Sequence, residues 1–227
     1  MDFGLAFSYV FKDPEWFRKV AIPALCSLIP VIGPFILVGW AAKAAKKVMD
    51  GEAENALPEL EFGADLGKGF MISLAGLIYS LPVAILVAVS SGLFSAASNN
   101  SREGVSALLY ILGGCSGLLG LLFGLLVAFL SAVGIANFIA KGEFGAAFHF
   151  KELFAMLKKS FVSWLLVVVG YLLAIGIIAP LGGIVCGIGA LLTTAYGNAI
   201  VMHLLGQAYV ASRPAFVETV EVVDVVE

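Results

Sequence analysis

Few side chains inside the apolar segments of this 227-residue chain could do chemistry, and the densest set lies on the last segment. There Thr193, Tyr196, His203 and Gln207 recur at i, i+3, i+10 and i+14, close to one face of a helix. Asn198 on the same segment and Asn137 on the fourth add two amides. These six residues make a candidate polar pocket whose only titratable imidazole is His203. The same groups also read as interhelical hydrogen bonds, worth about 0.6 kcal/mol each. His149 stands beside lysines and reads as a solvated interfacial residue. Neither histidine has a second ligand at a spacing such as H-E-x-x-H, so no metal and no cofactor is expected. The three cysteines, Cys26, Cys115 and Cys186, sit singly in apolar segments and read as small packing residues. No Asp, Glu, Lys or Arg falls mid-span, so the usual pointer to an ion pathway or proton relay is missing. No nucleophile–base pair is apparent, and an enzyme is not expected.

Small residues form a second pattern. Ser116, Gly120 and Gly124 recur at i+4, as do Gly113 and Gly117, and Gly183 with Gly187. Such spacing lets helices approach closely, in the same chain or in a second copy.

The elements that must position these residues follow from composition. The chain is 61% apolar and 13% charged, with mean hydropathy +1.03. A soluble domain is about 45–50% apolar and about 25% charged. Residues 69–101, 104–140 and 160–212 contain no Asp, Glu, Lys or Arg. A membrane-crossing helix needs only about 20 such residues. The expected class is all-α: a polytopic integral membrane protein with about six apolar helical segments in three hairpins. The segments are residues 16–30, 35–49, 70–96, 105–140, 161–178 and a last one ending near residue 208. Turns are expected at Pro30-Val31-Ile32-Gly33-Pro34 and Pro180-Leu181-Gly182-Gly183.

The first hairpin is short, with about 14–15 residues per arm at 1.5 Å each. It either thins the bilayer or dips into one leaflet and returns. The fourth segment is too long, so it tilts, kinks at Gly113-Gly114 or projects beyond the membrane. An amphipathic interfacial element is expected before each hairpin. The first carries Phe3, Phe7, Val10 and Phe11. The second is Leu57-Pro58-Glu59-Leu60-Glu61-Phe62, continued by Leu66 and Phe70. The third carries Phe150, Leu153, Phe154, Leu157 and Phe161 at helical spacing. Asp13-Pro14-Glu15 reads as a helix start.

Of thirteen Lys and Arg residues, only Arg102 falls on the far side of this arrangement. The positive-inside rule then puts both termini in the cytoplasm and the protein in the cytoplasmic membrane. The net charge of −3 argues against nucleic acid as a partner. Met1-Asp2 opens no basic leader, so a cleaved signal peptide is not expected. Residues 1–209 read as one membrane domain. Residues 210–227 form an acidic, valine-rich tail, read either as a frayed terminus or as a strand that orders on a partner or a second copy.

Several motifs occur together in order. Phe7-Ser8-Tyr9-Val10-Phe11-Lys12-Asp13-Pro14-Glu15-Trp16 leads into Ile29-Pro30-Val31-Ile32-Gly33-Pro34. Leu57-Pro58-Glu59 with Phe62-Gly63 follows, then Gly206-Gln207-Ala208-Tyr209. The chain resembles the DUF4013 family of bacterial and archaeal membrane proteins, over nearly its whole length but not its tail. The resemblance implies a multi-helix membrane protein and, because that family's function is unknown, carries over no site residues.

Two functions stand against each other. One is a structural, scaffold or membrane-shaping protein, a homo-oligomer or a subunit of a larger membrane complex, whose other partner is the lipid bilayer. The alternative is a channel or carrier for a small uncharged or lipid-like solute.

Overall fold

Apolar segments of this length fold as helices because a bilayer offers no water to unpaired backbone groups, and a helix satisfies them internally. The computed structural model describes residues 1–184 and 188–213, and among these it contains helices and no strand. In order they are α1 (Phe3–Lys12), α2 (Trp16–Cys26), α3 (Ile32–Met49), α4 (Phe62–Ser98), α5 (Glu103–Lys141), α6 (Phe150–Lys159), α7 (Phe161–Leu173), α8 (Ala179–Leu181) and α9 (Ile188–Ser212). A 3₁₀ turn, Phe144–Phe148, precedes α6, and a π-helical stretch, Ala174–Ile178, joins α7 to α8. Three stretches are long and apolar enough to cross a bilayer: Phe62–Ser98, Glu103–Lys141 and Phe161–Ile184. The chain is a membrane protein.

The fourth segment does not kink: α5 is continuous through Gly113 and Gly114. With 37 and 39 residues, α4 and α5 run about 55 and 58 Å, nearly twice a hydrocarbon core of about 30 Å. At the lysine-rich end the start of α4 packs on α3 and the end of α5 packs on α6, α7 and α9. Farther out the two helices pair with each other as an arm. This arm exposes Leu77, Leu81 and Ile85 of α4 and Ile111, Leu118 and Leu122 of α5.

α3 lies inside the molecule, enclosed by α2, α4 and α9, with Ile36, Trp40, Ala41, Ala44 and Ala45 fully buried. Its polar half begins at Lys43, so its apolar part rises only about 16 Å. The end of α2 and the turn joining it to α3 expose Leu25, Leu28 and Val31, the last at 78%. Val31 also has φ 67°, a left-handed conformation costly for a β-branched residue.

Two of the three expected amphipathic elements are helices, α1 and α6, and the second is not. α6 carries the expected stripe from Phe150 to Leu157, with Leu153 buried while Phe150 and Phe154 face outward, but it ends at Lys159 and Phe161 opens α7. Residues 57–61 are not helical. Pro58 biases Leu57 toward extended backbone, and Trp40 and Lys43 donate to the Pro58 and Glu59 carbonyls at 2.9 and 2.6 Å. Phe62, Leu66 and Phe70 belong to the opening turns of α4. α1 packs antiparallel along α9, with Asp2 at Gln207 and Phe7 at Tyr196. Asp13 makes a turn, accepting from the Glu15 N–H at 2.8 Å, so α2 starts at Trp16. α9 runs through Ser212, beyond the residue-209 boundary. Cys186, Gly187 and the tail from residue 214 lie outside the described residues.

Candidate functional site

The polar face of α9 holds other parts of the chain. His203 is fully buried, its Nε2 lies 2.8 Å from the Ala53 carbonyl, and its ring stacks on Tyr9 at 4.3 Å. A carbonyl only accepts, so Nε2 carries the proton and Nδ1 accepts from Gln207 Nε2 at 3.0 Å. That leaves a neutral imidazole. Gln207 also closes a two-way link with Asp2: its Oε1 accepts the Asp2 N–H at 2.6 Å and its Nε2 donates to the Asp2 carbonyl at 2.9 Å. Tyr196 donates to the Phe7 carbonyl at 2.6 Å, and Tyr9 donates back to the Ala199 carbonyl at 3.2 Å. Thr193 donates to the Ala179 carbonyl at 2.8 Å, joining α9 to α8. These residues therefore form a clamp on α1, α8 and the loop at Ala53.

The six candidate residues do not converge on one cavity. Asn137 belongs to a different cluster, where its Nδ2 donates to the Ala146 carbonyl at 3.0 Å and to Glu152 at 3.2 Å. Lys141 bridges both Glu152 oxygens at 2.7 Å, and His149 stands 3.8 Å from the same carboxylate. Partial burial pushes the Glu152 carboxyl up, but the hydrogen bonds from Lys141 and Asn137 and the nearby cations outweigh it. The net shift is below the ordinary 4.5. Asn198 donates within its own helix to the Thr194 carbonyl at 2.9 Å and lines a cleft of about 390 Å³ between α5, α7 and α9. Ser131 and Tyr171 share that mostly apolar cleft.

Sequence reasoning missed Asp65. It is 1% exposed, accepts the Glu61 N–H at 2.7 Å and pairs with Lys43 at 3.0 Å. Its position three residues into α4 is the signal that could have marked it, since an acid in the first turn caps a helix.

The small-residue pattern also divides. Gly113, Gly117, Gly120 and Gly124 face α4 of the same chain, against Leu93, Ser90, Leu86 and Val83 at ordinary or slightly tight contact. Ser90 donates to the Gly113 carbonyl at 2.8 Å and Ser116 to the Leu86 carbonyl at 3.2 Å. Gly183 meets nothing within 4 Å among the described residues; its neighbour Gly182 is the one pressed against Gly189 and Thr193. Close backbone approaches also occur elsewhere, and those at Gly39 and Gly69 are tighter still. A Cβ on Gly39 would overlap the Asp65 carbonyl, and one on Gly69 would overlap the Phe35 carbonyl. A Cβ on Gly206 would come within 2.6 Å of the Ala45 carbonyl. The alanine-rich run of α3 is the trace of this packing in the sequence.

Among the described residues no group of three His, Cys, Asp or Glu side chains is arranged to hold a metal ion. The described groups can hold the chain together and present an uncharged cleft.

A family model for a protein of unknown function, DUF4013, matches residues 22–205, most of the chain. The chain belongs to the DUF4013 family. No curated protein and no solved structure matches it.

Proposed function

We propose that the protein is a non-enzymatic structural element of the cytoplasmic membrane, one that shapes the bilayer or scaffolds a larger assembly. In this reading the apolar segments form three pairs, α2 with α3, α4 with α5, and α7 with α9. The lysine-rich end, with Asp2 and Arg213, faces the cytoplasm. The observation that carries it is unequal depth. The apolar part of α3 rises about half a bilayer and ends in an exposed apolar turn, while α4, α5 and the Phe161–Ile184 stretch are long enough to cross. A wedge in one leaflet adds area to that leaflet alone and bends the membrane. The engagement of His203, Gln207 and Tyr196 with backbone groups supports the non-enzymatic part.

Vesicle diameter in reconstituted liposomes, imaged by electron cryomicroscopy, tests this. Wild type narrows the vesicles as protein density rises, and Leu28→Lys with Val31→Lys abolishes the effect. Equal diameters for both proteins would sink the proposal. Light scattering of detergent-extracted protein tests the scaffold arm, for which a defined oligomer or a constant companion protein is expected.

The cleft at Asn198 favours a second reading, a carrier for a small uncharged or lipid-like solute. Solute flux into liposomes that falls on Asn198→Ala would support it, and absence of flux for every solute class would remove it.

A further inference from the structure

A cleft of about 210 Å³ opens at the lysine-rich end between the second half of α3 and the start of α4. Lys43, Lys46, Lys47 and Lys68 line it, with Glu59 and Glu61. The balance of partners is uneven. Lys43 pairs with Asp65 at 3.0 Å and Glu61 at 3.5 Å, and Lys46 pairs with Asp50 at 2.7 Å. Glu59 is drawn toward Arg18 at 3.7 Å. Among the described residues Lys47 makes one hydrogen bond, to the Asn55 carbonyl at 3.2 Å, and neither Lys47 nor Lys68 has an ion pair. Neither ammonium group has a carboxylate in ion-pair contact: Asp13 acts on Lys47, and Asp65 and Asp50 act on Lys68, only from farther off, while Lys46 and Lys43 stand near Lys68 as like charges. Like charges so placed repel, and an anion between them removes the repulsion.

We propose that this cleft is a headgroup site for an anionic phospholipid, its phosphate between Lys47 and Lys68 and its acyl chains along α4. Depth selects a lipid over a free anion. Lys68 is the last charge before the uncharged run of α4. Met71, three residues on and so on the same helix face, is exposed, as is Phe70 beside it. A phosphate held here would carry its chains directly onto that apolar surface. Basic recesses between membrane helices on the cytoplasmic side suit such headgroups. The site is separate from the α2–α3 turn that carries the membrane-shaping reading, so either can fail alone.

The test uses the full chain, purified and delipidated in an uncharged detergent, with native mass spectrometry reading bound lipid. Phosphatidylglycerol and phosphatidylcholine are titrated in turn, with inorganic phosphate in large excess as a competitor. Each lysine near an anionic headgroup contributes about 1 kcal/mol, so Lys68→Gln weakens phosphatidylglycerol binding about fivefold and Lys47→Gln/Lys68→Gln about 25-fold. Lys68→Arg retains binding, and Lys151→Gln on α6 leaves it unchanged. Melting temperatures of the variants, compared with wild type, separate lost binding from lost fold. Equal retention of the two lipids, or unaltered binding in a folded double variant, overturns the proposal. Full displacement by inorganic phosphate also overturns it, by assigning the cleft to a free anion.

Discussion

Glycine does opposite work at the two ends of the molecule. In the α4–α5 arm, Gly113, Gly117, Gly120 and Gly124 make shallow seats for side chains of α4, and the remaining surface is left to the bilayer. At the lysine-rich end, Gly39, Gly69 and Gly206 bring backbone against backbone, and polar side chains tie the loop carbonyls of Ala53 and Pro58. The arm is held by many weak, forgiving contacts. The bundle is held by a few that admit no added atom. An element that faces lipid gains little from lipid-like packing, whereas one that buries loops must satisfy most of the polar groups it encloses; among the described residues Asn137 Oδ1 and Trp164 Nε1 are buried without a partner.

The sharpest way to break this contrast is to add one methyl group. Gly39→Ala or Gly69→Ala forces α3 and α4 apart and is expected to cost about 3 kcal/mol or more. Gly92→Ala in the arm, where a Cβ meets nothing, is expected to stabilise by about 0.5–1 kcal/mol. Thermal melting in detergent compares them, and equal melting points would erase the distinction. Next in size is His203→Ala, which strands the Ala53 carbonyl and Gln207 in a buried site, at about 2–3 kcal/mol. Limited proteolysis should then cut near α1 while the arm stays intact; protection of α1 equal to wild type would remove the clamp.

A smaller effect depends on pH. Glu152 and Asp13 both sit below their ordinary values of 4.5 and 3.8 in the folded chain. For Asp13, partial burial pushes upward but the Lys19 pair, the Glu15 N–H and Lys47 prevail. Lowered carboxyls stabilise the fold fully above those ordinary values, and the contribution fades as pH falls through the folded values. Melting temperature should therefore drop between about pH 5 and pH 3, and less steeply in Glu152→Gln. Identical slopes would rule out Glu152 as a source. The least effect is expected in the arm, where Ser90→Ala removes one interhelical hydrogen bond worth about 0.6 kcal/mol. A loss of several kcal/mol there would mean the arm is as exacting as the bundle.

Legibility in the sequence followed the same division. α4 and α5 were readable because uncharged runs report a lipid environment residue by residue, and α6 because its stripe repeats at helical spacing. The α9 face was readable as a face, but its partners were not. They are backbone carbonyls of Phe7, Ala53 and Ala179, which any residue carries and which lie up to 189 positions away in the chain. Residues 57–61 have the composition of a surface helix, yet carbonyls wanted by Trp40 and Lys43 keep them extended. Gly39 and Gly69 were invisible for a similar reason: their counterparts are backbone atoms of another helix, with no spacing rule to mark them.

The clamp also sets an order of events. Tyr9 is synthesised 190 residues before the Ala199 carbonyl that receives its hydroxyl, and Asp2 is made 205 residues before Gln207. During translation α1 therefore waits, with Phe3, Phe7 and Phe11 lacking the surface they will pack on, while the intervening helices are made. The bilayer surface can shelter an amphipathic segment through that interval. The docking of α1 onto α9 then becomes a late step that draws distant parts of the chain together and marks the bundle as complete.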